Sequence, residues 1–225
     1  MNLFNIKEDA KRAFQVLKNG GVGILPMDVG YSLIGGSATS LTEIFKTKKR
    51  KQSKLNAMLG NMDLHNELHV VSSKSKEIID AICIDYNLPL GLIAPCNPKH
   101  SFFNSVGKEV YDRSTLNNTL LMLLNAGNFH SELTKLSFND GQLLFGSSAN
   151  ITMTGTKFCI ENMQPEILSL ADIVIDYGLM KYHSYKQSST LLNVETMEVF
   201  RYGVCYENIA YILKRHFSID LPKRT

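Results

Sequence analysis

Apolar positions along the chain follow two periods. Ala10, Ala13, Phe14 and Leu17 recur at helical spacing, and Asn19-Gly20-Gly21 supplies a stop, predicting a helix over residues 9–17. A short buried strand is expected at 22–25. Ser40-Leu41-Thr42-Glu43 has the form of a capping box opening a helix through Ile44 and Phe45. Residues 56–59 read as a strand, and 75–86 as an amphipathic helix with Ile78, Ile79, Ile82 and Cys83 inward. Three prolines make 87–98 a loop with a short apolar piece inside it. The apolar run 119–124 has strand length. A helix at 129–136 follows, then the turn Asn139-Asp140-Gly141 and a strand at 143–146. Pro165 suits the first turn of a helix to Leu170. Strands near Ile173, Leu191 and Val199 and a helix over 207–217 complete the pattern.

Helices and strands thus mix without strict alternation, which predicts an α/β fold, a single domain over residues 1–225 with a twisted, mixed β-sheet flanked by helices. With 225 residues and 44% hydrophobic content, the chain can bury a sizeable core. No segment approaches the roughly 20 apolar residues that span a bilayer, so no membrane partner is expected. Residues 1–9 hold no apolar signal core, and a cytoplasmic location is expected. Cys83, Cys96, Cys159 and Cys205 are far apart and the six histidines are read as offering no metal site, so neither a metal site nor disulfides are expected.

The net charge of +3 is too mild to indicate nucleic-acid binding by itself. Its distribution is less even. Six cations stand between Lys46 and Lys54, while Lys214, Arg215, Lys223 and Arg224 read as a solvated C-terminal group. The chemistry-bearing clusters are Lys48-Lys49-Arg50, Ser148-Ala149-Asn150 with Gly155, Ser189-Thr190 and Arg201-Tyr202-Gly203. Cations with charge-assisted donors, joined by small hydroxyls and a carboxamide, are what a polyphosphate requires. Lys48 and Arg50, two apart, would diverge by about 200° on a regular helix, so convergence needs a turn.

In this order the clusters resemble the YrdC-like family of threonylcarbamoyl-adenylate synthases, over about residues 6–208. Further landmarks are Gly20 to Val29 with Tyr31-Ser32-Leu33, and Asp172 to Gly178. The resemblance implies an open sheet around a concave, basic cavity. It also implies an ATP-dependent nucleotidyltransferase that forms a carbamoyl- or acyl-adenylate from ATP, bicarbonate and L-threonine or another acceptor, in the first step of a tRNA modification. By that resemblance Lys48, Arg50 and Ser148 act in catalysis, and Lys48, Arg50, Asn150, Ser189 and Arg201 hold ATP. Mg2+ would arrive mainly on the phosphates, with Asp28 as a helper. Tyr31 either packs on adenine or fills core.

The acceptor side departs from the family pattern. Val29, Leu59 and Ala126 stand where the family has a hydroxyl, an imidazole and a guanidinium; with Tyr31 and Ser148 they make the expected acceptor pocket. Losing an arginine partner for a carboxylate costs on the order of 3–5 kcal/mol, so threonine should bind poorly unless Arg113, Lys54 or Asn125 compensates. Two other readings remain: a non-catalytic nucleotide or double-stranded RNA binder, and a donor module for a partner transferase.

Overall fold

The computed structural model describes residues 3–49 and 54–224. Ten strands among them form one mixed sheet. They are β1 Val22–Leu25, β2 Ser32–Gly35, β3 Ala57–Leu59, β4 Leu90–Pro95, β5 Thr115–Leu116, β6 Thr119–Leu124, β7 Phe145–Ser148, β8 Ile173–Val174, β9 Leu191–Asn193 and β10 Val199–Arg201. The order across the sheet is β10-β9-β4-β6-β3-β7-β2-β1-β8, with β5 hairpinned onto β6. Parallel pairs (β1–β8, β3–β6, β4–β9) stand among antiparallel ones, as the irregular alternation predicts.

Helix α1 (Ile6–Lys18) begins at Asn5, whose side chain accepts from Glu8 N–H, and buries the apolar stripe Ala10, Ala13, Phe14 and Leu17. Helix α2 (Ala38–Thr47) starts three residues before the expected capping box. Ser37 is its N-cap, and Ser40 is the buried partner at the third helical position. The remaining helices are α3 Met62–Leu68, α4 Ser73–Asp80 (continued by a π-turn over Ala81–Asp85), α5 Gly107–Asp112, α6 Asn128–Asp140, α7 Pro165–Leu168 and α8 Tyr206–Phe217.

Two other sequence expectations are corrected. Residues 87–98 are not a loop: Leu90–Pro95 is a central strand paired with both β6 and β9. Its prolines do no harm because Pro89 precedes the strand and Pro95 ends it, where a missing donor is tolerated. The strand expected at 143–146 lies at 145–148, which carries the Ser-Ala-Asn segment onto a strand end.

Strand alternation gives the sheet two unlike faces. Leu90, Leu92, Ala94, Leu120, Met122 and Leu124 point into a core shared with α2, α3, α4 and α8. On the other face α1 and α6 pack over Leu25, Ile34, Leu59 and Leu123. The rest of that face opens into a cavity.

Candidate functional site

The cavity has a volume of about 540 Å³ and is walled by residues from eight strands and the loops beside them. Lys48, Leu59, Ser148, Asn150, Ser189 and Arg201, separated by up to 153 positions in the chain, all line it. Lys48, Lys54 and Arg201 are the charged residues of this lining, and none of its described residues is acidic.

Each polar group is placed by local structure. Lys48 caps the C-terminus of α2, and Lys49 turns the chain with φ of 51°. The Lys48 side chain is buried, and its ammonium donates to the carbonyls of Ser148 and Asn150. The Ser148 hydroxyl donates to Asn150 Oδ1, and Asn150 Nδ2 donates to the Ile151 carbonyl at 2.6 Å. Thr152 closes the arrangement from the other side, its Oγ1 donating to the Lys48 carbonyl at 2.7 Å. Lys48, Ser148 and Asn150 therefore form a knot that satisfies most of its own polar groups. Arg50 lies outside the described residues.

The opposite end of the cavity is built differently. Thr190, fully buried, donates from Oγ1 to the Val204 carbonyl at 2.9 Å and accepts from Gly203 N–H, which fixes Ser189 beside β10. Close approach here requires glycine. A Cβ on Gly203 would stand 2.2 Å from the Ser188 carbonyl oxygen, and one on Gly91 would stand 2.2 Å from Leu191 Cδ2. Arg201 Nε donates to the Ser189 carbonyl at 2.8 Å and its Nη2 contacts Ser189 Oγ at 3.2 Å. Among the described residues no carboxylate pairs with it. A guanidinium has five N–H donors, so Arg201 keeps donors in reserve. Burial pulls its pKa down to about 10, which leaves it charged at neutral pH.

Three residues expected in the acceptor pocket do not line this cavity. Val29 is buried in the core under α1 and α6. Tyr31 is fully buried and serves as a pin: its hydroxyl lies 2.9 Å from both Asp176 Oδ1 and the Gly178 carbonyl and accepts from Tyr177 N–H. Of its two expected roles, this is the core-filling one. Ala126 lines a separate cleft of about 480 Å³ at the N-terminus of α6, together with Asp28, Asn125, Lys181 and Tyr182. Asp28, 3.6 Å from Lys181, is thus away from the cavity, and burial raises its carboxyl pKa against the pull of Lys181. Of the three compensating groups considered, only Lys54 reaches the cavity. Arg113 pairs with Glu109 at 3.2 Å, and Asn125 bonds Cys83, Asn87 and Leu88.

Sequence reasoning placed Leu59 in the acceptor pocket but missed the rest of the floor. Ala57 and Leu59 on β3, Gly91 and Ile93 on β4, and Leu121 and Leu123 on β6 line the cavity between its two polar ends. Their signal is present in the sequence only as unbroken apolar runs, which do not say which face stays open.

No protein-family model matches the chain, and no curated protein matches it in sequence. Solved structures match its fold. A hypothetical protein, smu.1377c, from Streptococcus mutans UA159 superposes with a TM-score of 0.76 at 19% identity, over 94% of this chain and 93% of that one. Sua5 from P. abyssi, complexed with L-threonine, gives 0.75 at 16% identity, over 96% of this chain. This chain spans 59% of the length of that Sua5. E. coli YciO gives 0.67 at 16% identity, over 88% of this chain and 90% of that one. The fold is therefore of the Sua5 and YciO type. Among the described residues no helix is long and apolar enough to cross a membrane.

Proposed function

We propose that the cavity binds ATP and that the protein is a nucleotidyltransferase forming a carbamoyl- or acyl-adenylate, in the manner of a threonylcarbamoyl-adenylate synthase. One observation carries the reading: four clusters between Lys48 and Arg201 meet in one cavity whose described lining holds cations and no carboxylate. An uncompensated, partly desolvated guanidinium such as Arg201 is stabilised by an anionic ligand, and its spare donors match phosphate geometry. The likeness to a Sua5 that binds L-threonine supports the same class of chemistry.

Such a transfer needs little covalent help from protein; positioning and charge neutralisation do most of the work. Arg201 and Ser189 contact phosphate oxygens. The Lys48 charge, held at the base of the Ser148–Asn150 turn, and Arg50 two positions on in the sequence offset the charge that develops at the reacting phosphorus. With no carboxylate in the described lining, Mg2+ enters on the phosphates of the nucleotide. Bicarbonate and an amino acid complete the substrates, and the product would feed a tRNA-modifying partner transferase.

Calorimetry with ATP, followed by pyrophosphate release from ATP and bicarbonate with and without L-threonine, tests the reading. Micromolar binding with acceptor-dependent pyrophosphate supports it. ATP binding without pyrophosphate, together with salt-sensitive binding of double-stranded RNA, would replace it with a non-catalytic binder.

A further inference from the structure

The two polar ends of the cavity lie far apart on the sheet. Ser189 and Arg201 belong to the β9–β10 edge, and Ser148 and Asn150 to the end of β7. From β9 the sheet runs through β4, β6 and β3 before reaching β7. Four interstrand steps of about 4.8 Å separate the ends by roughly 19 Å. Across this span the three intervening strands offer the cavity Ala57, Leu59, Gly91, Ile93, Leu121 and Leu123, with Thr119 at the start of β6 as their one polar side chain among the described residues, its hydroxyl donating to the Leu116 carbonyl. Ala57, Ile93 and Leu121 are partly exposed although strands of this register could have presented polar residues there at little cost. Leu116, 60% exposed, and Phe200, 56% exposed, extend the apolar lining to the mouth. An apolar surface left open between two anchoring ends marks a ligand-binding groove.

A nucleotide alone does not account for this floor. Phosphates and ribose gain nothing from leucine, and the exposed Phe200 ring beside Arg201 already offers the adenine a stacking partner. We infer that the group activated in this cavity is apolar: a carboxylate bearing an aliphatic or aromatic side chain, whose hydrocarbon rests on Leu59, Ile93, Leu121 and Leu123 while its head lies between the polar ends. The inference rests on the ATP reading above and takes its acyl-adenylate branch, in which no bicarbonate is consumed. In the step, a carboxylate oxygen of the acceptor attacks the α-phosphorus of ATP. The bond from that phosphorus to the bridging oxygen breaks, and pyrophosphate leaves with the electron pair. No oxidant or reductant is involved.

Stable adenylate mimics test the inference directly. 5′-O-[N-(L-leucyl)sulfamoyl]adenosine, its L-threonyl counterpart and acyl-free 5′-O-sulfamoyladenosine would be titrated calorimetrically, alongside ATP. The leucyl compound should bind at least about tenfold tighter than the threonyl one, the discrimination that one or two buried methyl groups provide. Ile93→Thr keeps a β-branched residue on β4 and should reduce that ratio severalfold, with thermal melting confirming the fold. If ATP and sulfamoyladenosine bind but the threonyl compound binds as tightly as the leucyl one, the apolar acceptor is overturned and the ATP reading stands. If neither ATP nor any of the three binds, the ATP reading falls and the apolar acceptor with it.

Discussion

The two ends of the cavity use similar residue types in opposite ways. At one end Lys48 is a strut: its ammonium is spent on the carbonyls of Ser148 and Asn150, and the Asn150 carboxamide on Ser148 and Ile151. At the other, Arg201 makes two contacts to Ser189 and has no described carboxylate partner. A cation in a motif can thus hold a loop or await a ligand. Its donor inventory, and not its charge, tells which.

The floor common to both ends gives the largest expected effect. Strand β6 is pinned by two buried histidines. His69 Nε2 donates to the Leu120 carbonyl at 3.2 Å, and His130 Nε2 to the Leu123 carbonyl at 3.1 Å. Burial lowers His130 from 6.5 to about 4 and His69 to about 3. A cation-forming group whose pKa falls on folding binds fewer protons in the native state. Stability is therefore full above pH 6.5 and is lost as pH falls toward 4, on the order of 3 kcal/mol for His130 alone. Thermal melts between pH 7.5 and 4 should show this, and His130→Asn should flatten part of the slope. A pH-independent melting temperature over that range would contradict it.

Lys48→Met sharpens the comparison from the strut side. It leaves the buried Asn150 carbonyl without this donor, at about 1–3 kcal/mol, and the Ser148 carbonyl with the Asn150 N–H at 2.9 Å. A lowered melting temperature is the expected result, with ATP affinity weakened as the Ser148–Asn150 turn loosens. Arg201→Met should do the reverse. Loss of charge-assisted contacts worth about 1.5–3 kcal/mol should weaken ATP binding at least tenfold in calorimetry, while thermal stability falls by no more than the loss of the donor to the Ser189 carbonyl, since no described partner charge is stranded. If both substitutions act alike on melting and on binding, the contrast between the ends is wrong. The smallest effect is expected from Thr190→Val. It removes the bond to the Val204 carbonyl, should cost about 1–2 kcal/mol of stability, and should weaken ATP binding only modestly through a less fixed Ser189.

Much of this was legible in the sequence. The stripe Ala10–Leu17, the run 119–124 and the inward set Ile78 to Cys83 report burial, which depends on the local period of apolar residues, and each lies buried or in its element as expected. The clusters that meet in the cavity could be picked out because their residue types serve one chemistry. Strand β4 escaped, because prolines at a strand's boundary look like those of a loop until partners on both sides are known. Tyr31 and Val29 could not be separated from a ligand pocket, since an aromatic or β-branched residue after a strand reads the same whether it faces ligand or core. Sequence by itself determined where chain segments become helix or strand and which side chains could hold a phosphate. Only the tertiary structure decided that α1 and α6 cover just part of one sheet face, leaving Ile93 and Leu121 as a cavity floor. It alone spent the Lys48 charge on backbone carbonyls and left that of Arg201 without a carboxylate among the described residues. Both outcomes depend on contacts between residues about a hundred positions apart or on which surfaces remain unpacked, and no local period encodes either.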